Sequence, residues 1–151
     1  MSGPASGDAA PGDEIDTLAR TLWGEARGEG EAGMIAIAAV VLNRVRISAE
    51  HGGRYWWGRS IETVCRAKSQ FSCWNPGDPN RAKLLAVDDS DPAFRVAKAV
   101  AAEAVAGRLT DPTYGATTYK VASLPWPYAW GRPRLPLTEI GRHAFYTLLE
   151  D

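Results

Sequence analysis

The stretch LARTLWGEARGEGEAGMIAIAAVVLNRV, residues 18–45, decides how this chain folds. At about 100° per residue, Leu18, Leu22 and Ala26 fall on one side of a helix. Glu25 shares that flank, seven residues after Leu18 and three after Leu22. Gly28 and Gly30 then break the helix. A second helix, from about Glu31 to Val45, is apolar nearly all round, with Met34, Ile37, Ala38, Val41 and Val45 on one face and Ile35, Val40 and Leu42 on the others. Such a helix lies at the centre of a domain, and its alanines let neighbours approach closely. Glu25 therefore points toward apolar surroundings at a glycine-studded corner. An acid in that place is either paired, with Arg20, Arg27 and Arg44 available, or tuned for chemistry.

Working outward, the 151 residues make one domain, long enough to bury about 70% of the unfolded surface. The hydrophobic share of 45% and charged share of 23% describe an ordinary globular protein, and a net charge of −1 argues against a nucleic-acid partner. The charge is uneven: the acids lead near the N-terminus and the bases between Arg44 and Lys83. That pattern reads as solvated faces or as a mildly basic groove for an anionic polymer. The opening MSGPASGDAAPGDE has neither the basic start nor the apolar core of a signal peptide. The apolar run from Met34 to Leu42 is too short to span a bilayer, so no integral membrane segment is expected. An extracytoplasmic target then calls for phage-type release, association with a particle, or a leader that has been removed.

The composition of residues 1–12 cannot order itself, leaving 13–151 as the folded domain. Asp13 reads as the cap of the first helix and Ser60 as the cap of a short helix through Ala67. SQFSCWNPGDPN, residues 69–80, reads as a loop. DPAFRVAKAVAAEAVAG, residues 91–107, has a helix-capping Asp91, Pro92 at the first position and a terminal glycine. ATTYKVAS, residues 116–123, alternates like a strand, and four prolines between 125 and 136 impose an irregular arm. EIGRHAFYTLL, residues 139–149, fits strand or helix, with strand favoured in its first half. The fold class is α+β: a mainly helical single domain with a small β-sheet.

Three features carry chemistry. Glu25, set against Trp23, Leu22 and the central helix, would be desolvated, and desolvation favours the protonated form that can hand a proton to a glycosidic oxygen. Glu29 and Glu31 read as surface or corner-pairing residues. Six tryptophans are many for this length, and Trp56, Trp57, Trp74, Trp126 and Trp130 fall in expected loops, where rings can stack on sugars. QFSCWN, residues 70–75, interleaves uncharged donors and acceptors with aromatics and suits a polyhydroxyl ligand. Cys65, Cys73, His51 and His143 match no metal-binding spacing, and the cysteines could form a local disulfide or remain buried thiols. Neither a metal nor a cofactor is expected.

Together, WGEARGEGEAGMIAIAAVVLNRV, QFSCWN, GATTYK and IGRHAFY, in that order, resemble the bacterial and phage cell wall hydrolase family typified by spore cortex-lytic enzymes. The likeness runs from about Leu18 to Tyr146. It implies a lysozyme-like fold and cleavage of peptidoglycan glycan strands between N-acetylmuramic acid and N-acetylglucosamine. It also implies that the first glutamate of GEARGE, Glu25, is the catalytic acid. Family members often carry histidines where this chain has Thr118 and Lys120. Gln70, Phe71, Ser72, Trp74, Tyr119 and Trp130 are expected to line the sugar groove. With one carboxylate in an apolar setting, lytic transglycosylation is the expected reaction. A hydrolytic muramidase using Asp78 or Asp111 as second acid is the alternative, ahead of an amidase or a non-catalytic wall-binding or virion module. The domain is expected to act as a monomer or within a phage-like particle.

Overall fold

The computed structural model describes residues 11–52, 58–67 and 71–148. Helix α1 spans Pro11–Ala26 and α2 spans Gly30–Glu50, joined by the glycine corner. Asp13 lies in the first turn of α1 rather than capping it, since the helix begins two residues earlier, at Pro11. α2 runs five residues beyond Val45, because Ile47 and Ser48 are also buried and extend its packed surface. By length and composition α2 could cross a membrane, contrary to the reading of its apolar run as too short. Most of its apolar stretch is instead buried inside the domain, with Ala36, Ile37, Ala38, Val40 and Val41 sealed from solvent.

Short helix α3, Ile61–Arg66, begins at the expected cap. Ser60 Oγ accepts the backbone N–H of Thr63 at 3.1 Å, and Thr63 Oγ1 accepts that of Ser60 at 3.0 Å, a reciprocal cap. The segment read as loop contains a 3₁₀ turn, Ser72–Trp74, and runs into α4, Pro79–Ala86. α4 escapes a periodicity reading because it buries only Leu84, although Asp78 caps it and Pro79 occupies the first position. α5, Pro92–Val105, is capped by Asp91 and packs Phe94, Ala97, Val100, Ala101 and Ala104 inward, against α1 and α2.

The sheet has three antiparallel strands: β1, Thr118–Val121; β2, Thr138–Ile140; and β3, His143–Tyr146, with β3 in the middle. The ambiguous segment is thus a hairpin, with Ile140 opposite His143 across a two-residue turn of Gly141 and Arg142. That turn takes the backbone through φ 59° at Gly141, the left-handed region a glycine enters freely. All four residues of β3 are buried. Between β1 and β2 the proline arm folds over the sheet end. There the Trp126 and Trp130 rings meet edge to face at 5.3 Å, and Trp126 meets Tyr146 at 4.9 Å.

Close packing of α1 against the 3₁₀ turn rests on Gly24. A methyl group there would stand 2.8 Å from Cys73 Sγ and 2.9 Å from its Cβ, and Cys73 is itself buried. Gly24→Ala should therefore cost about 1–3 kcal/mol despite the better helix propensity of alanine. Urea denaturation should show a lower midpoint at unchanged slope.

Candidate active site

Glu25 occupies the last turn of α1, half-buried between Leu22 and Ala26, which face the core. None of the three arginines within reach in sequence forms an ion pair with it among the described residues. Arg20 Nη1 donates to the carbonyls of Leu84 and Val87, the latter at 3.0 Å, closing the end of α4. Arg27 lies 4.2 Å over the Trp23 ring and donates to Asn80 Oδ1 at 3.1 Å. Arg44 is buried, donates from Nε to the Thr117 carbonyl at 2.7 Å, and stands 5.1 Å from the Phe71 ring centre. Burial lowers the Arg44 pKa, and the nearby Tyr119, Cys65 and Glu25 oppose that shift.

Glu25 accepts a hydrogen bond at Oε1 from the phenol of Tyr119. β1 carries Tyr119 opposite Phe145, and the two rings pack at 5.8 Å. The His143 ring meets Tyr119 nearly edge-on at 5.1 Å. Burial, then the neighbouring Glu25 carboxylate, pushes the Tyr119 pKa well above its ordinary value, so the phenol remains a donor. Cys73 lies against this turn with its thiol pushed up by burial and then by Glu25. Cys65 is pushed up to about 12 by burial. Both cysteines are free and buried, so of the two readings left open the thiol one holds, and neither is an activated nucleophile.

The residues expected along the groove separate. Phe71 and Trp74 are buried in the core, where Trp74 Nε1 donates to Thr21 Oγ1 at 2.8 Å. Ser72 is exposed beside them, Tyr119 reaches Glu25, and Trp130 lies half-buried in the aromatic arm with Trp126 and Tyr146. Gln70, Trp56 and Trp57 lie outside the described residues. The two carboxylates considered as second acids are engaged by nearby backbone and, for Asp111, by Asn43 of α2 as well. Asp78 accepts Asn80 N–H at 2.8 Å, and Asp111 accepts Thr113 N–H at 2.7 Å, Gly115 N–H at 2.9 Å and Asn43 Nδ2 at 3.0 Å.

Sequence reading passed over Arg44 and His143 as site residues. An arginine within an apolar helix and a histidine in an apolar strand were the available signals, and both fit a satisfied core residue equally well. His143 is buried, and its pKa is lowered by that burial, with Glu29 opposing, Arg142 reinforcing and Glu25 opposing.

The molecule is thus a mainly helical α+β domain with an acid at the junction of helix and sheet. Its fold is that of the catalytic domain of the germination-specific lytic transglycosylase SleB from Bacillus anthracis, at 25% identity and a TM-score of 0.66, covering 96% of this chain and all of that one. The SleB catalytic domain of Bacillus cereus superposes equally well, at 23% identity with a TM-score of 0.66 over 97% of this chain and all of its own. The spore cortex-lytic enzyme of Bacillus subtilis strain 168 is 31% identical over 139 residues, 87% of this chain and 37% of the relative, so the chain spans little more than a third of that protein. The family profile described as cell wall hydrolase matches residues 28–146. The chain belongs to the cell wall hydrolase family.

Two outcomes follow from the geometry. Tyr119→Phe removes the hydrogen bond to Glu25, worth about 1.5–3 kcal/mol where the acceptor is ionised, and should lower the urea midpoint at unchanged slope while circular dichroism shows the fold intact. For Asp111, partial burial acts to raise its pKa, but the bonds from Thr113, Asn43 and Gly115 prevail and hold it below the ordinary carboxylate value. Its stabilising contribution is therefore complete above the ordinary value and lost as pH falls through the folded one. Thermal melts of Asp111→Asn should show lower stability than wild type at neutral pH, with the gap narrowing toward strong acid.

Proposed function

We propose that this domain cleaves the glycan strands of peptidoglycan by lytic transglycosylation, with Glu25 as its single acid and base. The observation that carries this reading is the half-buried Glu25 carboxyl, which accepts the phenol of Tyr119 and, among the described residues, makes no ion pair. A carboxyl held in place at the protein surface is positioned to pass a proton to and from a bound sugar. The family match and the SleB folds supply the substrate class.

In this scheme Glu25 gives its proton to the oxygen linking N-acetylmuramic acid to N-acetylglucosamine, and the bond from muramic C1 to that oxygen breaks. The resulting carboxylate accepts the proton of the muramic 6-hydroxyl as its oxygen bonds to C1. The acid is restored, no water is consumed, and the strand ends in a 1,6-anhydro ring. Tyr119 keeps the carboxylate oriented in both halves of the reaction. A hydrolytic scheme needs a second carboxylate to activate water, and Asp78 and Asp111 are instead tied to backbone N–H groups of their own loops. The aromatic surface of Trp130 beside Trp126 offers a platform for sugar rings.

Glu25→Gln should fold and bind glycan strands yet lose turnover by at least about 10²–10⁴-fold. Mass spectrometry of wild-type products made in ¹⁸O-water should find unlabelled anhydromuramic ends. Labelled reducing ends would establish hydrolysis instead, and normal turnover by Glu25→Gln would remove Glu25 from the mechanism.

A further inference from the structure

Glu29 stands immediately before α2, where an acidic side chain could cap the helix, but it makes no capping bond. It reaches instead to the turn between β2 and β3. Oε1 accepts the backbone N–H of Arg142 at 3.0 Å, Arg142 Nε lies 3.4 Å from Oε2, and His143 Nδ1 lies 3.8 Å from Oε1. The side chain is only 12% exposed. Two glycines from separate elements make room for it. A Cβ at Gly141 would stand inside contact distance of Oε1, and one at Gly33 would collide with the Cβ of Glu29. An exposed ion pair would need neither clearance, so this is a slot shaped around one carboxylate.

The slot adjoins the acid through one ring. His143 follows Arg142 in the chain and packs edge-on against Tyr119, which donates to Glu25. We propose that Glu29 is a positioning residue for Glu25: it seats the β2–β3 turn, the turn sets His143, and His143 fixes the Tyr119 ring that orients the acid. This role rests on the reading of Glu25 as the catalytic acid. Among the described residues, the charged and titratable groups facing His143 are Glu29, Arg142, Glu25 and Tyr119.

Glu29→Gln keeps the shape and an acceptor for Arg142 but removes the charge. Small misplacements of a catalytic group cost up to about 10²-fold, so kcat on purified glycan strands should fall about 10–10²-fold with KM within about twofold. The His143 titration, followed by NMR, should move to lower pH, because the nearest group that raises it is gone. The losses from Glu29→Gln and Tyr119→Phe should combine to less than their product, as they act on one chain of contacts. Gly141→Ala displaces the carboxylate with Glu29 retained, and should lower kcat similarly. Gly107→Ala, at φ 76° with open space around it, controls for backbone strain and should leave kcat unchanged.

Full kcat in a folded Glu29→Gln protein overturns the proposal, as does multiplicative combination with Tyr119→Phe. Should Glu29→Gln fail to fold, the glycine pair decides: equal kcat in Gly141→Ala and Gly107→Ala overturns it. Inactive Glu25→Gln beside active Glu29→Gln defeats the positioning role alone, whereas active Glu25→Gln defeats the catalytic reading beneath it.

Discussion

The hydrogen bond from Tyr119 to Glu25 joins residues 94 positions apart and is the contact through which the helices and the sheet meet at the site. Its two ends belong to elements with little else in common: the final turn of α1, and an edge strand of a three-stranded sheet. For the bond to form, α1 must end where it does and the chain must double back at the glycine corner. β1 must also be held at one distance from the helices. Much of the architecture serves these requirements.

The last of them is met by a buried cation. Arg44 projects from the central helix and binds the carbonyl of Thr117, one residue before β1. A single residue, Thr118, then separates this anchor from Tyr119. Asn43, next to Arg44, donates to the Ala116 carbonyl at 2.9 Å and to Asp111, so consecutive polar residues on α2 grip the approach to the strand. Buried polar groups are costly unless satisfied, and here the Thr117 and Ala116 carbonyls and the Asp111 carboxylate accept bonds that register the sheet against the helices. The same stretch of α2 therefore supplies the apolar core and sets the position of the sheet residue that bonds the acid.

The aromatic residues divide along the same physical line. Phe71 and Trp74 sit under Arg44 and Arg66, with the Arg66 guanidinium 4.4 Å from the Trp74 ring, where cation–π contact and burial reinforce each other. Trp126 and Trp130 lie on the proline arm, and their edges are ordered by one another and by Tyr146. Loop location alone did not distinguish these cases. A short 3₁₀ turn can bury its aromatics as completely as a helix does.

Local signals in the chain determined the helical frame. The apolar periodicity of α1 and α2, the glycines between them, and the caps at Ser60 and Asp91 are short-range physics, and each element formed where its residues required. The acid at the end of α1 was legible for the same reason, since a carboxylate on an apolar flank is visible by counting turns. Only the tertiary structure decided what that carboxylate touches. Three arginines lie nearby in sequence, yet among the described residues the carboxyl is bonded by a tyrosine brought in by the sheet, and the arginines serve α4, Trp23 and β1. α4 stayed hidden because one buried leucine makes no period, and the hairpin because strand and helix patterns overlap over so few residues. Glu29 reads from sequence as a surface or corner-pairing residue, but its partners, Arg142 and His143, come from a turn 113 residues away. Contacts of that range depend on how elements pack, and no window of sequence contains both sides of them.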